Sequence, residues 1–267
     1  MTPSAEADGE AAPPQGIPAA TIVVFRRSRT PGGGPPEILM TIRSRNLRFA
    51  GGAAVFPGGR VDPADFALAT KLGCTDVDEA ANRIAALRET LEETGLAIGV
   101  SGAVTAESAA EARAMLAQEE DFAPVLERFG WTLRLEAVVP YARWFPKNER
   151  LPRIFDTRFY LYDIGTGAVD IAVDASENSR LFWITAQGAL DAAREGDIKL
   201  IFPTRRNLER LAGYGNFAEA VADARAFPVR TITPWVRERD GEPWIEFGDD
   251  HGYPVTGEPI RSAHRGD

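Results

Sequence analysis

Two apolar runs open the patterned part of the chain, residues 20–25 (ATIVVF) and 37–43 (EILMTIR). They flank Thr30-Pro-Gly-Gly-Gly-Pro-Pro36, and this spacing predicts a hairpin of two strands closed by a Gly/Pro turn. A short strand is expected at 54–56, then a loop over 57–75. A helix is expected over 78–94, stopping at Gly95. Further strands are expected at 133–139, 157–163 and 181–185, with helices near 108–128, 187–195, 205–211 and 217–226. Strands and helices follow each other without strict alternation. The pattern therefore predicts an α/β (α+β) architecture, a mixed β-sheet sandwiched between helices with extra helices toward the C-terminus, and not a doubly wound parallel sheet. Beyond residue 228, strand-like runs surround Asp240-Gly241, a common hairpin turn pair. Residues 1–18 are rich in Ala, Pro, Gly and Glu without apolar periodicity, the composition of a disordered tail. The expected organisation is thus a tail (1–18), a main domain (19–228) and a C-terminal extension able to form a β-hairpin (229–267).

The helix over 78–94 is two-faced. At about 100° per residue, Glu89, Glu92 and Glu93 fall within about 100° of one another, while Ala80, Ile84, Leu87 and Leu91 gather opposite. Carboxylates crowded at i, i+3 and i+4 repel by a few tenths of a kcal/mol per pair unless a cation compensates. Hard oxygen ligands of this kind suit Mg²⁺ or Mn²⁺, which bridge to substrate phosphates and can activate a water. A merely solvated acidic face is the other reading of the same residues. Upstream, Phe56-Pro57-Gly58-Gly59 can bring backbone close to a ligand, and Asp65 follows six residues after Gly59.

Composition narrows the partners. The 267 residues, 44% hydrophobic, suffice for a substantial core. A net charge of -9 argues against general nucleic-acid binding, which rests on Lys and Arg neutralising phosphates. The single cysteine, Cys74, cannot form an internal disulfide or a thiolate cluster, which suits a reducing compartment. No apolar run approaches the ~20 residues of a membrane span, and residues 1–18 lack a secretory signal. The expected setting is cytoplasmic, without membrane or nucleic-acid partners.

Taken together, Gly59, Asp65 and the run Arg88-Glu89-Thr90-Leu91-Glu92-Glu93-Thr94-Gly95-Leu96 resemble the Nudix box, G-x5-E-x7-R-E-U-x-E-E-x-G-U with U apolar. Arg88, Glu89, Glu92, Glu93, Gly95 and Leu96 match position for position. Asp65 replaces the first glutamate, Thr90 occupies an apolar position, and 22 residues separate Asp65 from Arg88 where the pattern has seven. The added segment costs little closure entropy if its ends are fixed. Such an insertion is similar to the Nudix 19 type branch, which includes peroxisomal coenzyme A diphosphatases. Thr41-x-Arg43-Ser44-x3-Arg48-x3-Gly52-x3-Phe56-Pro57-Gly58-Gly59 resembles the coenzyme A signature of that branch, with Met40 where leucine is usual. Arg153-Ile-Phe-Asp156-Thr157-Arg158-Phe159 resembles its R-F-D-T-x-F strand, with Ile154 intervening.

The resemblance implies a metal-dependent hydrolase acting on a nucleoside diphosphate derivative, with coenzyme A the leading substrate. The products would be adenosine 3',5'-bisphosphate and 4'-phosphopantetheine. It implies Glu89, Glu92 and Glu93 as ligands of Mg²⁺ or Mn²⁺, Arg88 as the side chain that positions a glutamate, and Asp65 as a further ligand or a support of the loop. Gly58 and Gly59 join Thr41, Arg43, Ser44 and Arg48 as substrate-binding candidates; the arginines offer planar forks to phosphate oxygens and the hydroxyls can donate. The general base is open between Glu177 and Glu93, since the only histidines, His251 and His264, lie outside the resembling region. ADP-ribose, NADH or a nucleoside triphosphate are alternative substrates, a non-catalytic nucleotide-binding module is the rival from another class, and a homodimer is a further expectation.

Overall fold

The computed structural model describes residues 16–28, 33–43, 51–146, 153–165 and 178–263. Strand β1 (Ile17–Arg26) is the spine of the sheet. It is followed by β2 (Glu37–Arg43), β3 (Ala54–Val55), β4 (Gly58–Arg60), helix α1 (Pro63–Lys71) and helix α2 (Val77–Thr94). Next come β5 (Val100–Ser101), α3 (Ala106–Glu119), α4 (Phe122–Phe129), β6 (Thr132–Leu133), β7 (Val139–Trp144), β8 (Phe155–Asp163) and β9 (Asn178–Thr185). The chain continues through α5 (Ala186–Glu195), α6 (Phe202–Leu211), α7 (Phe217–Ala226), β10 (Thr231–Ile232), β11 (Trp235–Arg239), β12 (Glu242–Glu246) and β13 (Gly257–Pro259).

The main sheet is mixed, as the element order predicts. β1 runs parallel to β8 from Ile17↔Phe155 to Phe25↔Asp163, and antiparallel to β2 at Phe25↔Ile38 and Arg26↔Glu37. Below that point β1 and β2 diverge, and the chain of β3 and β4 enters between them. β3 pairs with β2 at Thr41↔Val55, and β4 pairs with β1 at Thr21↔Gly58. This divergence delivers the Gly58-Gly59 backbone to the middle of one sheet face.

Alternation along the strands splits the core in two. Ala20, Ile22, Val24, Leu39 and Tyr160 pack with α1, α2, α3 and α4 on one face. Val23, Phe25, Ile38 and Met40 pack with α5, α6 and α7 on the other, giving helix, sheet and helix layers. The second core also takes in Ile232, Phe247, Tyr253 and Ala263, so residues after 228 help to build it. There Trp144 is enclosed edge-on by Phe202, Phe247 and Tyr253, and its indole N–H donates to the Tyr253 hydroxyl at 3.2 Å.

The structure revises four local expectations. The loop expected over 57–75 holds β4 and α1, which starts at Asp62-Pro63: Pro sits where its missing N–H costs nothing, and the Asp65 carboxylate accepts the Asp62 N–H at 2.9 Å. The helix expected over 108–128 is two, broken where Glu120 takes a left-handed φ of 52° and Asp121 caps α4 through the Ala123 N–H. In place of a strand over 133–139 stand β6, a 3₁₀ turn (Leu135–Ala137) and then β7, which reaches Trp144. Finally, Ile17 and Pro18, assigned to the tail, begin β1. The hairpin around Asp240-Gly241 forms as β11 and β12, with β13 added at its edge.

Candidate active site

Helix α2 owes its position to both of its faces. Ala80, Ala81, Ile84, Leu87 and Leu91 are buried against β1 and the sheet, and Gly95 ends the helix with φ 75°, a conformation favourable to glycine. Its last turn is tied to α3: Arg113 donates to the Glu92 carbonyl at 2.8 Å and the Glu93 carbonyl at 3.3 Å. A cation at these carbonyls also suits the negative end of the helix dipole.

The glycine loop and the glutamates meet directly. The Gly58 N–H donates to Glu93 Oε2 at 3.1 Å. Gly58 has φ 151°, and a Cβ there would fall 2.3 Å from the Ala20 carbonyl oxygen. A Cβ on Gly59 would fall within 2.3–2.5 Å of the Glu89 carboxylate atoms. The Gly-Gly pair is thus demanded by close approach on both sides, to the strand backbone and to the acidic helix.

Arg88 organises the carboxylates. Its guanidinium is buried and donates to both oxygens of Asp65 at 3.0 Å, to the Arg60 carbonyl at 2.9 Å and to Glu89 Oε1 at 2.9 Å. Asp62 lies 3.2 Å and Glu92 3.7 Å from it. Both Asp65 oxygens are thereby engaged, one by Arg88 and the other by Arg88 and the Asp62 N–H. Here Asp65 supports α1 and holds Arg88. Asp62 and Arg113 were not singled out from the sequence, because neither falls in a position that helical periodicity or the box distinguishes. The Asp62-Pro63 helix start was the available signal for the former.

Burial, reinforced by Glu93 and Glu92, pushes the Glu89 carboxyl up to about 8, although Arg88 opposes it. Burial likewise raises Asp65, against its pairing with Arg88. Glu92 is the most open of the trio, its side chain 40% exposed, whereas Glu93 is buried. Among the described residues no three carboxylates converge tightly enough to cage a metal ion by themselves. The donor set still fits a hard divalent cation: oxygen ligands only, excess negative charge, one carboxyl raised by burial and the adjacent glutamates, and one open carboxylate. Mg²⁺ characteristically completes such a set with waters and substrate phosphates.

Thr41 and Arg43 lie on the same sheet face as α2. Thr41 is fully buried and its hydroxyl has no hydrogen-bond partner among the described residues; the same holds for Arg43 Nε. Ser44, Arg48 and Glu177 lie outside the described residues.

No family model matches the chain. It is 26% identical over 246 residues to the acyl-coenzyme A diphosphatase NUDT19 of Gallus gallus, a match covering 72% of this chain and 65% of the chicken protein's length. The crystal structure of a NUDIX hydrolase from Alicyclobacillus acidocaldarius superposes with a TM-score of 0.67 at 25% identity, covering 79% of this chain and 97% of that one. With the glycine loop locked onto the Arg88–Glu93 helix and a mixed sheet between helical layers, the chain is similar in sequence and fold to Nudix hydrolases, with a resemblance to NUDT19.

Proposed function

We propose that the chain is a divalent-metal-dependent diphosphatase, and that coenzyme A or an acyl derivative is its substrate. The observation that carries the reading is the close approach of the Gly58-Gly59 backbone to Glu93 and Glu89, which sets the glycine loop directly against an acidic cluster suited to a cation. The name of the chicken relative supports the substrate class.

Glu89, Glu92 and Glu93 are the residues that would hold Mg²⁺ or Mn²⁺, and the ion would supply charge neutralisation at the diphosphate and a more acidic water. The chain supplies the positioning. Arg88 fixes Glu89, Asp65 and Asp62 fix Arg88, and the Gly58 N–H fixes Glu93. Thr41 and Arg43 offer a hydroxyl and a guanidinium on the adjoining strand. In the reaction a water oxygen bonds to one phosphorus, the bridging P–O bond breaks, and the other phosphate leaves with that oxygen. The water's proton passes to a carboxylate; of the candidates, Glu93 lies in the described site.

The test is product analysis by mass spectrometry after incubation with Mg²⁺ or Mn²⁺ and, in parallel, coenzyme A, ADP-ribose, NADH and a nucleoside triphosphate. Release of 4'-phosphopantetheine and adenosine 3',5'-bisphosphate, with slower turnover of the others, is the expected result. Preference for another substrate would retain diphosphate hydrolysis and remove coenzyme A. In the same assay Glu92→Gln is expected to lower kcat by about 100-fold or more with the thermal midpoint near the parent's, because the metal contributes several kcal/mol at the transition state. Turnover near the parent level would overturn the ligand assignment.

A further inference from the structure

Lys199 stands 140 residues from the Gly-Gly loop in sequence and shares no motif with it, yet the fold brings the two segments together. Ala53 and Lys199 form a parallel β-bridge, and the Lys199 carbonyl accepts the Ala54 N–H at 2.8 Å. On its other side Ala53 accepts the Arg43 N–H through its carbonyl at 3.0 Å. Arg43, Ala53 and Lys199 therefore form a row across three neighbouring backbone segments, the end of β2, the residue before β3 and the segment bridged to it.

Their side chains share one face. Ile42, Ala54, Ile198 and Leu200 all point into the core under α5 and α6, so Arg43, Ala53 and Lys199, alternating with them, point to the opposite face, that of α2 and the glutamates. With strands about 4.8 Å apart, the two basic residues stand roughly 10 Å apart with only the Ala53 methyl between them. From Ala53 to Gly58 is five residues, at most about 17 Å of extended chain. Most of the described basic side chains have carboxylate partners. Arg43 and Lys199 make no salt bridge among the described residues, Arg43 Nε is buried without a hydrogen-bond partner, and Lys199 is exposed.

We infer that Lys199 and Arg43 form a subsite for a second phosphate, a monoester on the nucleotide half of the substrate, set apart from the diphosphate at the glutamates. The inference rests on the reading of the site as one for coenzyme A or a derivative, and adds the residues that receive the phosphate on its ribose. Lys199 is then a specificity residue, separating 3'-phosphorylated nucleotides from those with a free 3'-hydroxyl.

Equilibrium binding measures this without turnover. Adenosine 3',5'-bisphosphate and AMP are titrated calorimetrically into the full chain, into Lys199→Met and into Lys199→Arg, with Mg²⁺ present. The parent is expected to bind the bisphosphate about tenfold more tightly than AMP, the increment of a charge-assisted contact. In Lys199→Met the two affinities draw level, and in Lys199→Arg the preference returns. The Lys199 backbone bond to Ala54 is kept in both variants, so matching thermal midpoints certify the fold. Equal parent affinities for the two nucleotides, or a preference that survives Lys199→Met, would overturn the subsite. Failure to hydrolyse coenzyme A alongside an intact, Lys199-dependent preference would overturn the proposed activity alone.

Discussion

Arg88 sits at the centre of five contacts that no other side chain can reproduce together. A lysine there keeps the charge but not the planar fork that reaches Asp65, Arg60 and Glu89 at once. Removing the guanidinium altogether leaves the buried Asp65 without its charge partner, a change that costs about 3–5 kcal/mol at such sites. Arg88→Met is therefore expected to lower the urea midpoint strongly; a midpoint within experimental error of the parent's would show that Asp65 is not held by this pair. Gly59→Ala is the complementary change. Its backbone is not in the left-handed region, so the strain falls on the Glu89 carboxylate that the new methyl would meet. The expected outcome is a folded protein with at least about tenfold weaker Mn²⁺ affinity, of the size seen when support of a metal ligand is lost, read by titration calorimetry. At this scale the sequence exposed the glutamates and glycines because the box has fixed spacing. It did not expose Lys199, Asp62 or Arg113, whose positions follow from a strand bridge, a helix cap and a helix-helix contact between segments distant along the chain.

Among the elements, α2 is the one whose glycine stop and buried face were both legible in the sequence, because an 18-residue helix with an apolar stripe and a terminal glycine carries redundant signals; its N-cap, Asp76, was not singled out. Helix α1 was not, since its nine residues lack a comparable stripe and it lies where the box pattern is interrupted. The Gly95 cap gives a direct measure of how far α2 depends on its end. Gly95→Ala should cost about 1 kcal/mol, the usual penalty for placing a side chain at φ near 75°. An unchanged thermal midpoint would mean that Arg113 and the packed face alone hold the last turn.

The molecule as a whole is closed from its C-terminal side. The Tyr253 hydroxyl receives the Trp144 indole N–H and donates to Asn207 Oδ1 at 2.6 Å, joining β7, α6 and the segment after β12 in one buried chain of hydrogen bonds. Tyr253→Phe leaves two buried polar groups without this partner, and a loss of about 1–3 kcal/mol in chemical denaturation is expected. No loss would mean that the residues after 228 merely rest on the core. Burial and the neighbouring Arg230 and Arg210 hold His251 below its ordinary value, against the pull of Asp250. The unfolded chain then binds a proton more readily than the folded one, so this stabilisation is complete above about pH 6.5 and declines as the pH falls through the window between the two values. His251→Gln should flatten that part of the stability profile; an unaltered profile would assign the decline to other groups. None of this was legible before, because the C-terminal residues are apolar in no regular period and their partners lie far upstream. The bridge between Ala53 and Lys199 also sets an order of assembly. A chain emerging from the ribosome presents the glycine loop and the glutamate helix long before residue 199, with the outer side of β3 bare until that residue arrives. Contacts so distant along the chain form late, so a nascent or truncated chain would display the acidic helix before it could grip a ligand.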